Sequence, residues 1–264
     1  MSFQPATRPS TLAGAMEDKG GLMPYIAAST LRTVAKNPDL LTRLSLVQDT
    51  GWKAYKPLYD DADRRNDSTP ASDGTNIHMV VQALHQGINV DRVPEPARSD
   101  GRAVYEFIYD HGFDILASEM FVVTQGLPEL CAGTLDVLLR HRKSGRTVVG
   151  DVKSVGALTG DTRYKAMSWA IQTGVYAHGL PYTADSPPAR DRWGRPLIDL
   201  SLVGEWDGFA IDTAVSLVIQ VERGSAKIEP AWIDIDEGWR YAELACKVRA
   251  ARKGVGESPK PVWA

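Results

Sequence analysis

The sequence predicts an α/β (α+β) fold built on a mixed sheet. Three observations carry this reading. Apolar residues recur at helical spacing over residues 25–60 and again near 76–86, before any strand pattern begins. Three runs rich in β-branched and apolar residues then follow one another between residues 115 and 154. Beyond them come a helical stretch, two further strand-like runs and a last helix, an order that brings helices against a sheet.

Taken in order, residues 1–24 are rich in Pro, Gly, Ser and Thr and predict an irregular arm. Ile26, Leu31, Val34, Leu40, Leu41 and Leu44 give residues 25–60 their helical period. Residues 60–72 (DDADRRNDSTPAS) read as a polar linker. Asp73 and Thr75 are candidate caps for a helix over 76–86, which Gly87 ends. Residues 91–101, with two prolines and several charges, predict a second connector. Strands are expected at 115–124, 130–141 and 147–154. The turn Lys143-Ser144-Gly145-Arg146 makes the last two a β-hairpin.

A helix follows over 162–178, with Tyr164, Met167, Ile171, Gly174, Val175 and His178 on one side. Residues 181–208, with Pro and Trp, predict loops. Runs at 214–221 and 228–235 form a second hairpin about Arg223-Gly224-Ser225, and Asp236 or Glu237 starts a final helix to about Arg252. The expected division is an N-terminal helical section over 1–100, a core over 101–254 and a tail over 255–264. There is no internal repeat.

Composition narrows the function classes. With 43% hydrophobic and 24% charged residues, the 264-residue chain is globular and long enough to bury a sizeable core. No apolar run nears the roughly 20 residues of a membrane span, so no membrane association is expected. The first residues lack the apolar stretch of a secretory signal. Two cysteines, Cys131 and Cys246, supply neither a disulfide framework nor four thiolates for a cluster, and a reducing, cytoplasmic setting is the default expectation. A net charge of −3 excludes a generic polycation, so nucleic acid would need a local basic patch. Arg140, His141, Arg142, Lys143 and Arg146 form one candidate. Lys247, Arg249, Arg252, Lys253 and Lys260 form another. A solvated face is the default reading of each.

The chemistry-bearing pattern is Gly133-Thr134-Leu135-Asp136, a hairpin turn, then Asp151-Val152-Lys153. Strand alternation puts Asp151 and Lys153 on one face. Asp136, on the partner strand, is a cross-strand or diagonal neighbour of Asp151. Leu135, Val137, Val149 and Val152 are expected on the opposite, apolar face. Two close carboxylates repel unless a cation lies between them, and a hard divalent ion satisfies both. Such an ion, with a nearby ammonium, suits phosphodiester hydrolysis. A structural Asp–Lys pair on an exposed strand is the plain alternative.

G-x-x-D (Gly133, Asp136), a hairpin, D-x-K (Asp151, Lys153) and Q-x-x-x-Y (Gln172, Tyr176) on the next helix together resemble the RecB-type PD-(D/E)XK nucleases. An upstream G-x-x-[IV]-H, here Gly74 to His78, and an acidic residue one strand before G-x-x-D, here Glu119, extend the resemblance over residues 74–178. It is similar to the CRISPR-associated and phage exonucleases of that group.

The resemblance implies a restriction-endonuclease-like fold and a metal-dependent DNA exonuclease for end processing or recombination, acting in a host cytoplasm if phage-encoded. It implies one or two Mg²⁺ or Mn²⁺ ions on His78, Asp136 and Asp151, with the Val152 carbonyl completing the shell. Glu119 either reaches a metal through water or is merely exposed, and His85, seven residues on, rivals His78. Lys153 positions or deprotonates the attacking water. Gln172 and Tyr176 either hold the phosphodiester or are a polar helix face with an aromatic anchor. Arg140, Arg163 and Lys165 are candidate DNA-backbone contacts. Trp169 and Tyr164 either stack on bases or belong to the core.

The chain departs from many relatives in lacking four cysteines, so no iron–sulfur cluster is expected. It also lacks a G-x-x-x-x-G-K-[ST] loop, so no ATP use is expected. The implied partners are single- or double-stranded DNA ends and a recombinase or helicase; no motif speaks to oligomeric state. The rival readings are a non-catalytic DNA-binding or assembly subunit and a hydrolase of nucleotides.

Overall fold

The structure, a computed structural model, describes residues 3–17, 22–49, 51–65, 69–158, 160 and 163–254. The chain divides into two compact units, one within residues 18–72 and one formed by 1–17 with 73–264. His78 therefore lies in the same unit as the strands, not in a separate section ending near residue 100.

The chain begins with β1 (Phe3–Pro5) and α1 (Pro9–Ala13), so the expected irregular arm carries regular structure. The smaller unit holds α2 (Leu22–Lys36), α3 (Pro38–Ser45) and α4 (Trp52–Arg65), packed around Val34, Leu40, Leu58 and Ala62. The polar stretch expected as a linker from residue 60 is helical through Arg65. Its charges pair along and between helices: Lys56 with Asp60, and Asp61 with Arg43, Arg64 and Arg65.

The helix α5 (Thr69–His85), which belongs to the larger unit from Asp73 onward, starts earlier than expected. Thr75 lies inside it rather than at its start, and the Asp73 side chain is outside the described residues. Next comes α6 (Ala97–Asp110), where the sequence suggested a connector. Its Asp100 is buried because the carboxylate accepts the backbone N–H groups of Gly224 and Ala226 at 2.8 and 3.0 Å. A charge that reads as loop in the sequence thus anchors a turn from inside a helix.

The remaining elements are β2 (Phe113–Thr124), β3 (Cys131–His141), β4 (Thr147–Val155), α7 (Arg163–Ala177), β5 (Leu180–Pro181), β6 (Leu197–Asp199), β7 (Val215–Glu222), β8 (Lys227–Asp234) and α8 (Ile235–Gly254). The main sheet has the order β5-β2-β3-β4-β7-β8. Its β4–β7 pair is parallel and its other pairs are antiparallel, so the sheet is mixed. β1 pairs with β6 in a separate ribbon.

Both faces of the sheet are apolar, as a parallel pair requires. One face packs Val137, Leu139, Val148, Val152, Leu217 and Ile219 under Ile77 and Val81 of α5 and Val104 and Ile108 of α6. The other packs Leu135, Leu138 and Val149 against Tyr176 and Ala177 of α7 and Ile235 of α8. Val149 and Leu135 thus belong to the layer of α7, and only Val137 and Val152 lie opposite it. Val149 precedes Asp151 by two residues, so strand alternation requires them to share a face. Cys131 and Cys246 are free and buried in the packing of α1, α7 and α8. No helix among the described residues is long and apolar enough to cross a membrane.

α7 and α8 approach closely at Gly238, where a Cβ would stand 2.1 Å from the Ala170 carbonyl oxygen. The obstacle is backbone, so it cannot rotate away. Gly238→Ala is expected to destabilise the protein by about 3 kcal/mol, at the upper end of overpacking costs. Urea unfolding reads this as a lower midpoint at unchanged slope.

Candidate metal centre

The site forms where three central strands carry acidic or basic groups at one level. In the β2–β3 register Ser118 faces Val137 and Met120 faces Leu135, which brings Glu119 beside Asp136. Continuing the β3–β4 register from Val137 and Gly150 brings Asp136 opposite Asp151. Glu119 has φ of +52°, in the left-handed region that a non-glycine residue rarely adopts inside a strand. Holding it there costs about 1–3 kcal/mol, and such outliers concentrate at functional sites.

His78, on α5, meets these strands. Its Nδ1 lies 3.2 Å from Glu119 Oε1 and 3.4 Å from Asp136 Oδ1, and its Nε2 lies 3.1 Å from the Val152 carbonyl oxygen. Asp136 Oδ2 accepts the Val152 backbone N–H at 2.7 Å. One atom each from His78, Glu119 and Asp136 falls within a mutual 4.8 Å, a spacing that fits a metal ion. Burial alone would lower the His78 pKa, but Asp136 and then Glu119 carry it up to about 10. In the metal-free site the two carboxylates thus favour a protonated ring. It spans two carboxylates and a carbonyl, the acceptors a hard cation would use.

A second group adjoins the first. Asp151 is 1% exposed. Lys153 Nζ lies 2.8 and 2.7 Å from its two oxygens and donates to Gln172 Oε1 of α7 at 3.3 Å. No other donor among the described residues reaches Asp151 Oδ2. Burial pushes the Asp151 carboxyl up to about 6; Asp136 adds to the rise and Lys153 opposes it. Burial works against the Lys153 ammonium too, but Asp151 and Asp136 hold its pKa above the usual lysine range. Asp136 is the opposite case. Burial disfavours its charge, yet His78, Lys153 and the Val152 N–H keep its carboxyl below the usual range. Two neighbouring carboxyls are thus pushed apart in acidity.

The structure brings His78, Glu119, Asp136, Asp151, the Val152 carbonyl, Lys153 and Gln172 together. His85 is two turns along α5, roughly 10 Å from His78 by helical rise. Tyr176 is 5% exposed and closes the layer behind the site. A Cβ on Gly133 would stand 3.2 Å from the Tyr176 hydroxyl, so the glycine of G-x-x-D makes room for the tyrosine of Q-x-x-x-Y. Burial and the nearby Asp136 and Asp151 push its hydroxyl pKa well above the usual tyrosine range. An aromatic anchor is the role its surroundings describe.

Trp169 does not stand beside bases as one reading allowed. It is 5% exposed and packs with Ala170, Val218 and Ile233, because its position on α7 faces the sheet. Arg140 lies four residues from Asp136, about 13 Å along the strand, with its guanidinium over Phe209 at 5.6 Å. Lys165 is exposed on the first turn of α7. The side chains of Arg163 and Tyr164, and all of Lys260, lie outside the described residues. Arg249 and Lys253 pair with Glu129.

Sequence reading missed two features. Thr75, Met79 and Gln82 line a cavity of about 260 Å³ with His78 and Glu119. Their spacing on α5 is the signal that would have found them. Gln220 pairs with Lys153 across the parallel β4–β7 register, is 6% exposed, and has a side-chain nitrogen without a hydrogen-bond partner among the described residues. Nothing in its sequence surroundings marks it.

No family model and no curated protein matches this chain. Among solved structures, one titled "Crystal structure of SSO0001" aligns over 87% of this chain and 87% of that chain, at 11% identity and a TM-score of 0.34. A likeness that slight carries no argument about the site.

Proposed function

We propose that this chain is a metal-dependent deoxyribonuclease acting on DNA ends. The supporting observation is the convergence of His78, Glu119 and Asp136 beside the buried Asp151–Lys153 pair. His78, Asp136 and the Val152 carbonyl, with Glu119 at the rim, would hold a divalent ion, and Asp151 is the adjoining carboxylate. Oxygen and imidazole donors of this kind suit Mg²⁺ or Mn²⁺. Such an ion, when bound, polarises a phosphodiester and acidifies water.

The chain's own residues do the rest. Asp136 orients His78 and is itself fixed by the Val152 N–H. Asp151 and Gln172 hold the Lys153 ammonium at the edge of the carboxylate group, where it can orient a water or steady negative charge developing on phosphate. Tyr176 and the α7 layer exclude water from behind.

The deciding experiment uses end-labelled linear single- and double-stranded DNA beside a covalently closed circle, each with Mn²⁺, Mg²⁺ or EDTA. The expected result is metal-dependent loss of linear DNA with survival of the circle. Cleavage in EDTA, or none under any condition by folded protein, overturns the reading. DNA retained without cleavage would favour a binding subunit.

The raised His78 pKa makes a second prediction. Without metal the imidazole holds a proton up to about pH 10, and a metal must displace it. Mn²⁺ affinity is therefore expected to rise from pH 7 to pH 9, by about tenfold per unit if one proton leaves. Calorimetry in two buffers of different ionisation enthalpy would detect about one proton released per ion. No proton release would exclude His78 as a ligand.

A further inference from the structure

The loop between β5 and β6 has no part in the metal centre. It projects Trp193 with 65% of its surface exposed, a large aromatic where small polar residues are the norm. The loop is organised from within. The Asp191 carboxylate accepts the backbone N–H groups of Trp193 and Arg195, both at 2.9 Å, and pairs with the Arg195 side chain at 2.7 Å. The Trp193 ring is held out rather than folded in.

Positive charge gathers around this ring. The guanidinium carbons of Arg192 and Arg195 lie 3.9 and 5.0 Å from the indole centroid. Arg8 and Arg190 both donate to the Gly194 carbonyl, at 3.1 and 3.0 Å. Arg249 lines the adjoining cavity of about 190 Å³ with Arg8, Arg195 and Trp193. These five guanidiniums meet only two carboxylates among the described residues, Asp191 and Glu129. In a chain of net charge −3 this is a local excess of the opposite sign. Arg192 is exposed and has no carboxylate partner among the described residues, so it can leave the ring for a phosphate.

Arg8 precedes α1, whose Pro9 packs against Gly133. Gly133 is three residues before Asp136 on β3, about 10 Å along the strand.

The geometry points to a binding station for single-stranded DNA, in which the arginines take the backbone phosphates and an unpaired base stacks on Trp193. It rests on the nuclease reading of the neighbouring site. Guanidinium forks match phosphate oxygens. An exposed ring within a basic surface is the combination by which unpaired nucleic acid is held, since every base has a π-face. A duplex offers its phosphates but keeps its bases stacked.

The test is anisotropy of a labelled thymidine oligonucleotide bound to the full chain in EDTA. Trp193→Ala is expected to weaken binding about tenfold, with Trp193→Phe losing less. Arg192→Gln is expected to reduce the slope of binding against log salt by about one. Both side chains are exposed, so melting temperatures stay at the wild-type value. Cleavage of bis(4-nitrophenyl) phosphate, too small to reach the loop, is expected to proceed at the wild-type rate.

If the variants bind the oligonucleotide as the wild type does while the wild type still cleaves DNA, this inference fails alone. If the wild type neither binds nor cleaves DNA, the nuclease reading fails with it. An equal loss on a duplex without unpaired ends would reject base stacking. Displacement of the oligonucleotide by an acidic peptide as readily as by DNA would make the surface a protein site and overturn the inference. If Trp193→Ala folds poorly, the salt slope of Arg192→Gln decides.

Discussion

Asp136→Asn is expected to abolish metal-dependent DNA cleavage while leaving the protein folded. The amide keeps the size of the carboxyl, and its oxygen can still accept the Val152 N–H that Asp136 Oδ2 accepts at 2.7 Å. What it loses is charge at the centre of the group. Asp136 is the largest influence raising His78 and also helps hold the Lys153 ammonium. Removing one anionic ligand withdraws several kcal/mol of charge stabilisation, and at about 1.4 kcal/mol per tenfold this is a loss of roughly a thousandfold or more. Calorimetric Mn²⁺ titration should fall in parallel, and the His78 pKa, read by NMR, should move down. Undiminished cleavage by a folded Asp136→Asn protein would sink the assignment. A variant that binds Mn²⁺ like the wild type but does not cleave would place Asp136 outside the ligand set.

Lys153→Met is expected to remove activity and, unlike Asp136→Asn, to weaken the fold. Methionine keeps much of the side-chain volume but leaves the Asp151 carboxylate, 1% exposed, without its ammonium. Breaking a buried pair on one side costs about 3 kcal/mol, the lower end of the range because the Lys153 side chain is 26% exposed. The sign with pH follows from Asp151. Its carboxyl is already raised to about 6 by burial, so the folded state holds the proton more tightly than the unfolded chain does. Stability contributed by that proton is present at low pH and is lost as pH rises toward 6. Without Lys153 the carboxyl rises further, and the loss extends to higher pH. Melting scans should therefore find the variant closest to wild type near pH 5 and furthest from it near pH 8. A pH-independent difference would mean that the lysine does not serve Asp151. The double variant Asp151→Asn/Lys153→Met should recover most of the stability without recovering activity.

The sites of these two predictions were legible to different degrees. Asp151 and Lys153 are two residues apart on one strand, and their shared face follows from strand alternation alone. Asp136 required only the hairpin register, which the turn at residues 143–146 sets. The long strands and the two C-terminal hairpin strands were readable because β-branched alternation is a local signal. α6 was not, since Pro94 and Pro96 just before it and the charges in its first turns resemble a connector until Asp100 is seen holding the turn at Gly224 and Ala226. Trp169 could equally face a groove or a core, and the sheet beneath α7 decided it.

By itself, then, the sequence determined the mixed α/β class, the hairpin carrying Asp136, Asp151 and Lys153, and the candidacy of His78. The first two rest on period and spacing, which covalent geometry sets within a few residues; the candidacy of His78 rests on the resemblance of Gly74 to His78 to a family pattern. Only the tertiary structure decided that His78 rather than His85 meets the carboxylates, that Glu119 turns toward it through a left-handed backbone, that Gln220 lies beside Lys153, and that Trp193, among the arginines of its own loop, also meets Arg8 and Arg249 from two distant segments. Those outcomes depend on which helix face packs on which strand and on where loops close. They are fixed by burial summed over the whole core, which no local window of residues contains.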